Sequence, residues 1–139
     1  MRAEDAEMVA ELTEQLGYPA SAAQIRARVA AVADLSDHDL FVATSEGVVA
    51  GWIHVRTWDL LQDEPAAELG GLVVGELHRG QGVGEALLGA AEEWAQRRGR
   101  AVLWVRTNVT REGAHRFYEG RGYHRMKTSH TFRKELGAG

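Results

Sequence analysis

Residues 68–85 read Glu68-Leu-Gly-Gly-Leu-Val-Val-Gly-Glu-Leu-His-Arg-Gly-Gln-Gly-Val-Gly-Glu85. An apolar strand runs into Arg79-Gly80-Gln81-Gly82-Val83-Gly84, and an apolar-periodic helix follows at once. Glycines let backbone approach a ligand closely and adopt positive φ. The first N–H groups of a helix have no partner inside it and point beyond its end. The helix dipole adds partial positive charge there, so this order of elements makes an anion cradle suited to phosphate.

Two nucleotide folds are excluded on residues. A dinucleotide fingerprint needs Gly-x-Gly-x-x-Gly. From Gly80 the third glycine would fall on Glu85, and from Gly82 on Leu87. A P-loop needs Gly-Lys-Ser/Thr, which does not occur. A Gly-x-Ser-x-Gly elbow and a His-Glu-x-x-His zinc motif are also absent from the sequence.

The rest of the chain extends outward from this segment. Met8, Val9, Leu12 and Leu16 mark a helix over residues 4–16, stopped by Gly17-Tyr18-Pro19. Ser21 reads as the N-cap of a helix over 22–33, with Ile25, Val29 and Val32 on one face. Strands are expected over 40–44 and 48–58, with Glu46-Gly47 as the hairpin turn. A polar loop, Asp59 to Pro65, leads to a strand over 67–74, in which Gly70-Gly71 reads as a β-bulge. The helix from Gly82 to Arg98 carries Val83, Leu87, Leu88, Ala91, Trp94 and Ala95 on one side and ends at Gly99. A largely apolar strand over 101–107 and a helix over 111–120 follow. Residues 123–136 read as strand in two pieces. The order ααβββαβαββ defines an α/β chain with helices packed on one mixed sheet.

Length and composition bound the function. One domain, 1–139, is expected. Apolar residues are 45% and charged residues 26%, as in globular proteins. The chain has no cysteine, which removes thiol nucleophiles, thiolate metal sites and disulfides. No metal ligand cluster is expected among the six histidines; His54 alternates along its strand and reads as a satisfied surface histidine or as one facing a groove. A formal charge of −4 argues against a nucleic-acid partner. No run approaches membrane-spanning length and the first residues lack a signal-peptide core, so a cytoplasmic setting is expected.

The central segment resembles the acetyl-CoA motif of the Gcn5-related N-acetyltransferases (GNAT), a strand ending Leu-x-Val, a short gap, then Arg/Gln-x-x-Gly-x-Gly/Ala leading a helix. Leu72 and Val74 fill the strand positions, and Arg79, Gly82 and Gly84 fill the turn; Glu76 stands in a gap where proline is common. A second segment is similar to that family's Asn-x-x-Ala-x-x-Phe/Leu-Tyr-Glu-x-x-Gly-Phe/Tyr. Ala114, Phe117, Tyr118, Glu119, Gly122 and Tyr123 fit, while Arg111 stands in the Asn slot and Asn108 lies three residues earlier.

The resemblance implies a small, bacterial-type, single-domain GNAT fold, with a central mixed, mostly antiparallel sheet flanked by helices and splayed at the acetyl-CoA site. The family's first strand would be very short, around Met1–Arg2, or missing. Acetyl-CoA is the implied co-substrate, held by the backbone of Leu72, Val73 and Val74 and by Arg79, Gly80, Gln81, Gly82, Val83, Gly84 and Glu85, with Arg111 and Tyr118 beyond. Tyr118 is the implied acid at the CoA sulfur. An acid on the Leu-x-Val strand serves some members as base, which points to Glu68; the bland alternative is a solvated carboxylate at a strand end. The implied reaction moves acetyl to a small or peptide amine by direct attack. A non-catalytic acyl-CoA sensor or partner-binding domain, or a subunit of a protein acetylation complex, are the other readings. Edge strands of the family often support homodimers. Its acceptor groove, here lined by Gly17-Tyr18-Pro19 and the 59–65 loop, is its variable part.

Overall fold

A computed structural model describes residues 1–15, 17, 19–106 and 112–137. The chain divides into two compact units, Met1–Val105 and Arg106–Gly139.

The first unit begins with a 3-10 turn, Ala3–Asp5, leading into α1 (Ala6–Gln15). α1 buries Ala6, Val9, Ala10, Leu12 and Thr13. Met8, expected on the buried face, is more than a third exposed, although its Sδ accepts the Val49 N–H at 3.4 Å. The expected end at Leu16 lies outside the described residues. Ser21 caps α2 (Ala22–Ala33) as its sequence suggests: Gln24 N–H donates to Ser21 Oγ (3.1 Å) and Ser21 N–H to Gln24 Oε1 (2.9 Å).

Four strands form one sheet in the order β1 (His38–Ser45), β2 (Val48–Trp58), β3 (Ala66–Val74), β4 (Leu103–Trp104). The first three are antiparallel, and β3 and β4 are parallel. Glu46 (φ 52°) and Gly47 (φ 79°) make the expected two-residue hairpin turn, in which both central residues take positive φ. No strand precedes α1 among the described residues; the Met1 ammonium donates to the Leu40 carbonyl at 3.0 Å.

The bulge at Gly70 is present. His54 pairs with Gly71 and Val55 with Leu69, so Gly70 is left over. Of the strand expected over 101–107, whose last residue lies outside the described ones, only Leu103 and Trp104 pair, with Ala67 and Glu68. The parallel ladder stops two residues before the bulge, which bends its strand and disrupts pairing. Beyond it, residues 70–74 have no strand partner on that edge among the described residues. This is the splay the sheet was expected to show.

α3 (Val83–Arg97) crosses from β3 to β4 and packs on β1, β2 and β3. Leu87, Leu88, Ala91, Trp94 and Ala95 are buried, meeting a sheet that buries Ile53, Val55, Ala67 and Leu69. α1 and α2 build a second cluster with Val49 and Val73, against which Val42 and Trp52 pack. Gly99 (φ 71°) ends α3 as expected.

The second unit holds α4 (Glu112–Glu119). Gly122 (φ 87°) supplies the left-handed turn after it, and Tyr123 N–H reaches back to the Tyr118 carbonyl at 3.1 Å. Residues 123–136 are not strands. A strand exists only by pairing, and Met126, Phe132 and Leu136 lie exposed instead of against a neighbour. Asn108 and Arg111 lie outside the described residues.

Candidate active site

The strand–turn–helix order of residues 68–85 is present as read. After Val74 a 3-10 turn (Glu76–His78) brings the chain to Arg79, whose backbone is extended. Gly80 (φ 79°) and Gly82 (φ 82°) are left-handed, and Gly82 caps α3. A Cβ on either would meet nothing within 4 Å, so these glycines are demanded by backbone conformation, not by crowding, and the space over them is open. The Gly82 carbonyl accepts from Ala86, so the amides of Val83, Gly84 and Glu85 make up the first turn, ahead of the first intrahelical bond. Arg79, Gly80, Gln81, Gly82 and Glu85 are exposed and Val83 and Gly84 half-buried.

Gly51 decides where this helix end sits. A Cβ there would lie 3.1 Å from Leu87 Cδ1, 3.1 Å from Val83 Cγ1 and 2.7 Å from the Val73 carbonyl. Its bare backbone lets the first turn of α3 seat on β2, beside the end of β3. Leu72, Val73 and Val74 pair with Ile53, Trp52 and Gly51 through one edge, and their other edge is the splayed one. The glycine turn at the head of α3 and a line of β3 backbone are thus held side by side on one sheet.

Glu68 is not a solvated strand-end carboxylate. It is only 6% exposed, and its Oε1 accepts from Arg56 Nη2 (2.9 Å) and Nε (3.2 Å). Arg56 lies opposite Glu68 in the sheet and over the Trp58 ring. Arg56 also lies opposite His38 of β1. On the same face, His38 Nδ1 and His54 Nε2 are 2.8 Å apart and the two rings stack. Burial first, then the neighbouring His38 and Arg56, push the His54 pKa below the usual 6.5, so His54 is neutral at pH 7. The pairing of His54 with His38, and the Arg56–Glu68 contact, were not foreseen from sequence. Asp59 of the loop thought to line the acceptor groove is held by Arg100.

In the second unit Tyr118 packs edge-on against Phe117 and Tyr123. Burial raises its pKa above the usual 10.0, so the phenol keeps its proton through the neutral range. Arg111 lies outside the described residues. Among the described residues no group of three metal-ligating side chains could hold a metal, and no helix is long and apolar enough to cross a membrane.

This is an α/β layer with a phosphate-suited helix end beside a splayed strand. Residues 6–123 match the acetyltransferase (GNAT) family. The chain belongs to that family. Among curated proteins it is similar to an aminoalkylphosphonate N-acetyltransferase of Salmonella typhimurium, 38% identical over 90 residues, covering 64% of this chain and 56% of the relative. The matched stretch thus spans little more than half of that relative. Among solved structures it is similar to the aminoglycoside N-acetyltransferase AAC(6')-Iy in complex with a CoA bisubstrate analogue, with a TM-score of 0.85 at 19% identity over 98% of this chain and 95% of the other. A second likeness is an aminoglycoside 6'-N-acetyltransferase from Acinetobacter haemolyticus, with a TM-score of 0.80 at 18% identity over 96% and 94% of the two chains. At these identities the structures establish the fold.

Proposed function

We propose that residues 1–139 form one acetyl-CoA-dependent N-acetyltransferase domain that moves acetyl to a primary amine by direct attack in a ternary complex. The observation that carries this reading is the left-handed Gly80–Gly82 turn opening α3 beside the splayed end of β3. Amides at Gln81 to Glu85 hold the pyrophosphate, with Arg79 and Arg111 adding charge, and this fixes the thioester for attack. The backbone of residues 70–74 takes the pantetheine arm as an added strand would. An N–H on the Leu72–Val74 stretch receives the oxyanion; such a donor is worth about 10²-fold or more in rate.

An alkyl ammonium, with pKa near about 10, must lose a proton before attacking. The polar face of β1–β3 is assigned that task, with Glu68, directly or through water, as the acceptor suggested by sequence. Tyr118 protonates the departing thiolate. The amines acted on by the named relatives, aminoalkylphosphonates and aminoglycosides, are the first acceptors to try. The same reading places the protein in the cytoplasm and allows a homodimer through an edge strand. Thiol release from acetyl-CoA across an amine panel tests it: amine-dependent release supports it, and CoA binding without turnover favours the sensor.

A further inference from the structure

His38 and His54 stand on neighbouring strands with ring nitrogens 2.8 Å apart, so one ring donates and the other accepts. Which does which follows from what flanks them. On the outer side His38 Nε2 faces the Asp37 carboxylate at 3.9 Å, a separation that a small side-chain rotation brings to hydrogen-bond length. The assignment in which an N–H faces that carboxylate puts the His38 proton on Nε2. His38 Nδ1 is then the acceptor, and His54 must carry its proton on Nε2. That leaves the lone pair of His54 on Nδ1. A Cβ on Gly70 would fall 2.6 Å from this Nδ1, so His54 Nδ1 lies directly against the bulge of β3, and Gly70 itself is exposed. Bulge, Nδ1, Nε2, Nδ1, Nε2 and carboxylate form a line from the splayed strand to solvent.

Resting on the acetyltransferase reading, the geometry points to His54 as the group that takes the proton from the acceptor ammonium at the Gly70 bulge, with His38 and Asp37 as the relay that delivers it to water. The amine nitrogen gives one proton to His54 Nδ1. His54 passes its Nε2 proton to His38 Nδ1, and His38 releases its own Nε2 proton to Asp37 or water. The freed amine attacks the thioester carbon and the C–S bond breaks. The second proton lost by nitrogen ends on sulfur, so one proton leaves per acetyl transferred. The neutral state of His54 suits this role. The other charged groups near the pair are Arg56, whose charge is matched by Glu68, and the Met1 ammonium at the Leu40 carbonyl, opposite His54 in the ladder. Glu68 then serves as a positioning residue through Arg56.

The test combines pH–rate profiles of the full chain with imidazole ¹⁵N NMR. For an amine that turns over, H54Q is expected to lower kcat by about 10²–10⁴-fold near pH 7. The acid limb of the profile should vanish and the loss should shrink as pH rises toward the amine's own pKa, with CoA affinity unchanged by calorimetry. H38Q should give a smaller loss with a moved acid limb. In the unliganded parent both rings should show protonated Nε2, and D37N should disturb that pattern at His38. An H54Q enzyme keeping parental kcat and acid limb, or a parent His54 protonated on Nδ1 at pH 7, overturns the relay. So does an acid limb removed by E68Q and kept by H54Q. If the parent turns over no amine while binding CoA, the acetyltransferase reading falls and the relay with it.

Discussion

At the residue scale, the side chains that matter are those whose partners determine their charge state. His54 is kept neutral by burial, by His38 and by Arg56. Its folded pKa lies below the unfolded one, so the unfolded chain binds more protons as pH falls through 6.5. Stability is therefore full above that range and is lost as pH falls toward the folded pKa. The melting temperature of the parent should drop between pH 7 and 5, and that of H54Q should drop less. The Arg56–Glu68 pair behaves differently. Arg56→Ala removes a cation from a carboxylate that stays buried, and should cost about 1–3 kcal/mol in urea unfolding. The lower half of that range is expected, because Arg56 is partly solvated. Tyr118→Phe should lower kcat and leave CoA affinity nearly intact; an unchanged kcat would remove Tyr118 from the acid role.

At the element scale, the cradle depends on backbone conformation that only certain residues adopt. Gly82→Val forces a β-branched residue to φ near 82° and should cost about 1–3 kcal/mol as well as abolishing CoA binding by calorimetry. Ser21→Ala, which breaks the α2 cap far from the cradle, should cost about 1 kcal/mol and leave CoA binding unchanged. The strand–turn–helix order was legible because the three elements follow each other in sequence, so local signals alone specify it. The polar face was not, because it is assembled by register. Ser45 pairs with Val48, and a regular ladder from that turn would set His38 opposite Val55, on the face away from His54. The irregularity between Ala43 and Thr44 moves His38 opposite Arg56 and brings the two imidazoles together. A bulge of this kind leaves no mark in Leu-Phe-Val-Ala-Thr that alternation can reveal. The tail shows the converse: residues 123–136 carry strand-forming side chains, but propensity yields no strand where no partner is paired.

At the scale of the whole molecule, the two sequence motifs fall in different units, the glycine turn in Met1–Val105 and the Tyr118 helix in Arg106–Gly139. The family match runs across both, from residue 6 to residue 123. On the proposed single-domain reading the chain should melt in one transition, and saturating acetyl-CoA should stabilise it by about 2.7 kcal/mol at a hundredfold excess over Kd. Separate transitions in calorimetry, only one of them moved by CoA, would contradict the single-domain account. The central claim is chemical, however, and the direct measurement is free-thiol release from acetyl-CoA by the full chain over a panel of aminoalkylphosphonates, aminoglycosides, polyamines and peptide amines. The account predicts release that depends on at least one amine, saturates with it, and disappears in the Gly82→Val chain. CoA bound tightly with no amine raising thiol release above background would contradict it.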